Sequence, residues 1–328
     1  MNKKQKIFLI SSLIVITLLL GLSAYFYFQE NKKGHIGIAE DDIQISDNSI
    51  GFETIIYQDK EYEYNTDIKN IVIMGTDIAD TIDEGSSVGH AGQVDAIFVL
   101  SLNTKNNDIN ILQLSRDTMI DVDIYDIDGE FYATEPGQLS LQYAYGDGHD
   151  VSCLLTTNKI SELLNGIPIQ AYFALNMDGL PKLSDLMGGI DITLNEDLLD
   201  LNPTYSSGTQ VHLQGQEFED FVRYRECETS GSNNARMRRH CLILKGMIEK
   251  FREIKNDNHE LMNDTYNIAK PYINTNMQLK ELEQLLDFEF NEDIINIKGE
   301  IVEDKNDQLF LDDEDLKHKI IDLFYVEN

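Results

Sequence analysis

One uncharged run, Ile7 to Phe28, constrains this chain more than any other feature. It reads IFLISSLIVITLLLGLSAYFYF. About 20 such residues cross a bilayer as a helix, which satisfies every backbone polar group within the segment. Lys3, Lys4 and Lys6 precede the run and Lys32 and Lys33 follow it, so flanking charge favours an inside N-terminus only modestly. Tyr25 to Phe28 suit the far interface as an aromatic belt. A cleaved signal peptide competes, with Gly21-Leu22-Ser23 as its small-residue site, but the apolar run continues past that point. No later stretch is apolar enough to span. The expected layout is a cytoplasmic tail at 1–6, a transmembrane anchor at 7–28, a polar stalk at 29–65 and one extracytoplasmic domain at 66–328, whose acidic, helical end begins near 256.

That domain carries an unusual charge distribution. The formal net charge is −32, which argues against a nucleic-acid partner because phosphate backbones need a basic surface. Yet five of the seven arginines fall between Arg223 and Arg239, in FVRYRECETSGSNNARMRRHC. Guanidinium presents a planar fork that matches phosphate oxygens and stays charged when buried. Two readings follow: an anion site, with phosphate the leading ligand, or a face where arginines neutralise neighbouring carboxylates.

Along the chain, Ile71–Gly75 reads as a buried strand with Thr76 and Asp77 at its carboxyl end, where α/β folds place ligands. A polar loop over 78–92 leads to Asp95 and a second strand, Ala96–Leu102. A third strand, Ile109–Leu114, is followed by Ser115-Arg116-Asp117-Thr118. If these strands are neighbours, Asp77, Asp95 and Arg116 converge; taken singly, each aspartate is a turn cap. Gln138–Gly146 and Asp150–Asn165 read as helices, Ala171–Asn176 as a strand, Asp178–Met187 as a helix closed by Gly188-Gly189, and Ile190–Leu194 as a strand. This alternation predicts a mixed sheet with helices on its faces. Gln214–Arg225 is a short helix or extended segment, and 226–235 a polar loop. A long helix is expected from Arg236, with Met237, Cys241, Leu244, Ile248 and Phe251 on one apolar stripe. On it Arg236 and Arg239 share a face in the first turn, a place that favours anions, while Arg238 points elsewhere. Asp312–Val326 is expected to be a packing helix.

The blocks NIVIMGTD (70–77), VDAIFVLSLN (94–103), QLSRDT (113–118), LSLQYAYGDG (139–148), HLQGQEFEDFVRYR (212–225) and ARMRRHCLILKGM (235–247) stand in an order and spacing that resembles the LytR–CpsA–Psr family of Gram-positive cell-envelope proteins. The resemblance covers about 66–255 and the N-terminal anchor. It implies an extracytoplasmic three-layer αβα domain with a mixed central sheet, preceded by one transmembrane helix. It implies binding of a polyprenyl (pyro)phosphate lipid and transfer of a glycopolymer from that carrier to peptidoglycan, with Mg²⁺. By the same resemblance, Asp77 and Asp95 match the aspartates near metal and pyrophosphate. Arg116 matches the arginine after the third strand, Arg223 and Arg225 the pair that grips phosphate, and Arg236 and Arg239 the two arginines opening the next helix. The implied catalytic set is Asp77, Asp95 and Arg116. The chain departs from the family pattern at Gln93, where arginine is usual, and at Asn233, where aspartate is frequent.

Three readings share this site: a phosphotransferase, a non-catalytic binder of the lipid, and a hydrolase passing the pyrophosphate to water. Cys227 and Cys241 flank the arginine loop, so a bridge or a buried free thiol is open to them. The seven histidines show no zinc-ligand spacing.

Overall fold

The computed structural model describes residues 54–77, 88–89, 91–224, 232–302 and 307–328. The expected anchor at 7–28 lies outside them, and among the described residues no helix is long and apolar enough to cross a membrane.

The chain enters through a hairpin, β1 (Ile55–Tyr57) and β2 (Lys60–Tyr64). Then come β3 (Ile68–Thr76), β4 (Val94–Asn103) and β5 (Asp108–Leu114), each antiparallel to the next. Their near-continuous apolar runs follow from burial on both faces. Val72 and Met74 point into one core, and Ile71 and Ile73 into the other. A second hairpin, β6 (Met119–Tyr125) and β7 (Phe131–Gln138), leads to α1 (Asp150–Leu163) and β8 (Ala171–Asn176), which pairs parallel with β3. Helix α2 (Leu180–Met187) ends at Gly188, whose φ of 73° is left-handed. Strands β9 (Ile190–Thr193) and β10 (Gln210–Leu213) form a ribbon before α3 (Gly215–Arg223) and the long α4 (Ser232–Asp257). After α5 (His259–Ala269), β11 (Ile273–Thr275) and α6 (Leu279–Leu285) come β12 (Glu289–Asn296), β13 (Gly299–Val302), β14 (Gln308–Leu311), α7 (Asp313–Phe324) and β15 (Tyr325–Glu327).

The central sheet runs β11-β8-β3-β4-β5-β12 and is mixed. Helices α1 and α7 cover one face around Val72, Ile97 and Leu112. The apolar sides of α4 and α6 cover the other around Phe98, Leu100 and Ile111, and a further apolar cluster joins α2, α3 and α5 to α4.

Four expectations change. Gln138–Gly146 is not an α-helix but a 3-10 helix over Leu139–Tyr145, tied down by Tyr143 Oη donating to Gly148 O at 2.9 Å. The end of the chain after 256 is not largely helical: β11 and β12 take both edges of the central sheet. In β12 the acidic residues hide a strand pattern, with Phe290 and Ile294 packing inward while Glu289, Asn291 and Asp293 face solvent. The folded domain begins before residue 66, because β2 pairs with the C-terminal β15 (Tyr64 opposite Tyr325). Finally, α4 begins at Ser232 rather than Arg236.

Candidate functional site

Register decides which loops meet. Both β3 and β5 run against β4, and β8 runs with β3; Thr76 lies opposite Val94 and beside Asn176, and Ile97 opposite Leu114. One end of the sheet therefore collects Asp77, Asp95, Ser115 to Asp117, and Asp178. There Gly75 backs onto Ala96, and a Cβ at Gly75 would stand 3.2 Å from the Ala96 methyl.

Asp95 is the hub. Its Oδ1 accepts from Arg116 Nη1, and its Oδ2 lies 3.3 Å from Arg236 Nη1. Arg116 also donates through Nη2 to the Gln93 side-chain oxygen, and its Nε lies 3.6 Å from Asp117 Oδ1. Asn233 joins the two halves. Its carbonyl oxygen accepts from Arg236 Nη2 at 2.9 Å, and its amide donates to Asp117 Oδ2 at 2.5 Å and to Ser115 Oγ at 3.1 Å. Asp77 sits exposed at the rim, where its Oδ1 accepts the Gln93 backbone N–H at 2.6 Å.

A second node lies along α4. The Arg239 side chain, 1% exposed, meets Glu196 Oε1 at 3.1 Å, donates to Tyr224 O at 2.6 Å and stacks its guanidinium over the Tyr224 ring. Arg238 takes the other Glu196 oxygen at 2.6 Å. Arg223, half-exposed, is held by Glu219 and Asp178, each at 2.7 Å. A buried guanidinium keeps its charge and so requires a partner; each cluster arginine among the described residues has a carboxylate.

The structure thus brings Asp95, Arg116 and Arg236 into contact, links Asp77 to them through Gln93, and stacks Arg239 over Tyr224, the chain neighbour of Arg223. Arg225 lies outside the described residues. The helix start corrects one premise: Arg236 and Arg239 lie beyond the first turn of α4, where the helix end no longer favours anions. Arg238 does not act apart but shares Glu196 with Arg239. Asp117, Asp178, Glu196 and Glu219 were not singled out from sequence; each is one of many acidic residues, and only tertiary proximity distinguishes them. Cys241 is a free thiol that donates to Gln113 Oε1 at 3.0 Å; Cys227 lies outside the described residues. Burial pushes the Cys241 pKa up to about 12.

Beside the cluster, between the sheet and α2, α4, α5 and α6, lies a cavity of about 230 Å³. Its walls are apolar side chains such as Phe98, Leu183, Leu244, Met247 and Phe251. Its wall includes Gly75, Ala96, Val222 and His240, which stand one or two positions along the chain from Asp77, Asp95, Arg223 and Arg239. His240 Nε2 donates to Val222 O at 3.3 Å, fixing α3 against α4 at this wall.

For a divalent cation, no group of three or more His, Cys, Asp or Glu gathers at ligand spacing among the described residues. Mg²⁺ keeps waters and binds through one or two carboxylates plus substrate phosphates; Asp77 offers an exposed carboxylate, whereas both Asp95 oxygens are engaged by Arg116 and Arg236.

The profile of the LytR_cpsA_psr family matches residues 37–313. A polyisoprenyl-teichoic acid–peptidoglycan teichoic acid transferase TagU of Bacillus cereus (strain AH820) is 27% identical over 159 residues, 48% of this chain and 47% of that protein. The chain therefore spans about half the length of the first curated relatives it matches. The TagU of Enterococcus faecalis (strain ATCC 700802 / V583) is 25% identical over 261 residues, 76% of this chain and 73% of that one. Among solved structures, TagT bound to LI-WTA superposes with a TM-score of 0.58 at 18% identity, covering 84% of this chain and 96% of that one. Bacillus subtilis TagU superposes at 0.57, also at 18% identity, over 79% and 96%. At these identities the structures share the fold.

Proposed function

The chain belongs to the LytR–CpsA–Psr family, and from that premise we propose that it transfers a glycopolymer from a polyprenyl-pyrophosphate carrier to peptidoglycan. One observation carries this reading: the apolar cavity lies next to the arginine and carboxylate cluster, walled on that side by the cluster's immediate chain neighbours. Such a junction suits an amphiphile with a long hydrocarbon tail and an anionic head. Relatives named as teichoic acid–peptidoglycan transferases support the reaction class. In it, an acceptor hydroxyl oxygen attacks the phosphorus bearing the glycopolymer, a new P–O bond forms, and the bond to the bridging oxygen breaks. Polyprenyl phosphate leaves with the bonding electrons.

The protein's share is charge neutralisation and alignment, since this chemistry asks for little else. Arg236 and Arg116 are drawn from Asp95 to phosphate oxygens as the head group enters. Arg223, already half-exposed, flanks its approach, and the buried Arg239 braces the neighbouring Tyr224. Asp77 and Asp95 are the residues that would hold Mg²⁺, whose contribution is to offset the negative charge of the pyrophosphate. Asp77, exposed at the rim with its Oδ1 accepting the Gln93 N–H, would take the acceptor's proton. The apolar run at 7–28 is proposed as a single-pass anchor, with the N-terminus cytoplasmic and the folded domain outside.

The test uses the full chain in detergent with labelled polyprenyl-pyrophosphate-linked oligosaccharide, peptidoglycan and Mg²⁺. Label should move to the wall polymer and stop moving in Arg223→Ala and on chelation of the metal. Lipid binding without transfer would replace the enzyme with a carrier-binding protein; release of label to water alone would make it a hydrolase.

A further inference from the structure

Helix α4 separates two spaces. Its Ile243, Leu244, Met247 and Phe251 line the apolar cavity, whereas Asn234, Met237, Arg238, Cys241 and Lys245 line a second cleft of about 600 Å³. The cleft's far wall is the C-terminal unit, through Asn296, Lys298, Leu309 and Leu311. Ser115 and Thr118 close the end nearest the sheet edge. That end is shared with the charged cluster: Arg116, between Ser115 and Thr118, reaches Asp95, and Asn233, next to Asn234, holds Arg236. The wall is pinned to the same turn, since Leu309 N donates to Asp117 O at 2.9 Å.

The lining chemistry is distinctive. Amides (Asn195, Asn234, Asn296) and cations (Arg238, Lys245, Lys298) face the cleft, with Asp293 as the opposing carboxylate, in a chain of net charge −32. Amides both donate and accept, which matches hydroxyl and acetamido groups, and cations match carboxylates. Leu242, Ile294 and Leu311 add apolar surface for the C–H faces of sugar rings. The volume lies in the range of ligand sites.

We propose that this cleft seats an anionic, hydroxyl-rich glycan strand, and that the strand is the acceptor of the transfer. The proposal rests on the transferase reading. Displacement at phosphorus places the attacking and leaving oxygens in line, on opposite sides of the phosphorus. The leaving lipid lies on the cavity side of α4, so the attacking hydroxyl arrives from the cleft side. The donor's own polymer shares the glycan chemistry, and the experiment separates the two sources.

Full-length chain in detergent is titrated with three probes: soluble peptidoglycan glycan oligomers stripped of attached polymer, the free anionic glycopolymer, and polyprenyl phosphate. The variants are Asn195→Ala combined with Asn234→Ala, and Lys298→Gln at a side chain 83% exposed. Glycan oligomers should bind about tenfold more weakly to the double variant, from the loss of two hydrogen-bonding side chains. Polyprenyl phosphate affinity should be unchanged, and in the transfer assay KM for acceptor should rise with KM for donor constant. Unchanged glycan affinity in both variants overturns the cleft. Sensitivity to the variants seen only with the free glycopolymer overturns the acceptor assignment. Failure of the unmodified chain to bind polyprenyl phosphate brings down the transferase reading, while glycan binding still decides the cleft separately.

Discussion

Glu196 holds Arg238 and Arg239 with one carboxylate, and the Arg239 side chain is 1% exposed. Removing one partner of a buried pair strands a charge, which costs about 3–5 kcal/mol. Glu196→Ala should therefore lower unfolding stability by about 3 kcal/mol in urea titration, and inorganic pyrophosphate should restore part of the loss. A change below about 1 kcal/mol would mean that the other contacts of Arg239 satisfy it without Glu196. Cys241 makes a pH prediction. Burial raises its pKa to about 12, so below that pH the folded thiol stays protonated and only the thiolate is nucleophilic. Iodoacetamide at pH 8 should leave Cys241 unlabelled in the native chain and label it after denaturation, as read by peptide mass. At this scale the arginine cluster was legible because arginine is rare in so acidic a chain. Its carboxylate partners were not, because acidic residues are everywhere in it.

At the scale of elements, α4 is the informative case. The spacing of Met237, Cys241, Leu244, Ile248 and Phe251 suggested one apolar stripe, but the structure divides it. Met237 and Cys241 face the polar cleft, and Leu244, Ile248 and Phe251 face the apolar cavity. Periodicity reports that residues share a side of a helix, and it does not report how many neighbours that side meets. Ile248→Trp should fill the cavity. The expected result is at least about tenfold weaker binding of polyprenyl phosphate with a melting temperature no lower than that of the parent chain, measured by lipid titration and calorimetry. Unaltered lipid affinity would place the tail elsewhere. Strands β3, β4, β5 and β8 were legible from apolar runs bounded by turn residues. β12 was not, because acidic side chains on its solvent face masked the alternation.

For the whole molecule, the two ends of the described chain close on each other. β15 pairs with β2, and Ile320, Ile321, Leu323 and Phe324 of α7 sit in the core beneath β3 and α1. Deleting 313–328 should abolish the cooperative unfolding transition seen by circular dichroism, because Phe324 alone is worth about 3–5 kcal/mol when truncated to alanine. A truncated chain that still unfolds cooperatively would show the helix to be an accessory. By itself the sequence determined the class of fold, the succession of β3, β4, β5 and β8 along the chain, the apolar run at the N-terminus and the concentration of arginine, since each is a local pattern of hydrophobicity, turn residues or charge. Tertiary structure decided the rest. Antiparallel register brought Asp95 to Arg116, and helix packing carried Arg236 across 141 positions of chain to the same carboxylate. The placement of α4 made one space apolar and the other polar. Those outcomes depend on which elements become neighbours, a property of the packed chain that no local window of sequence contains.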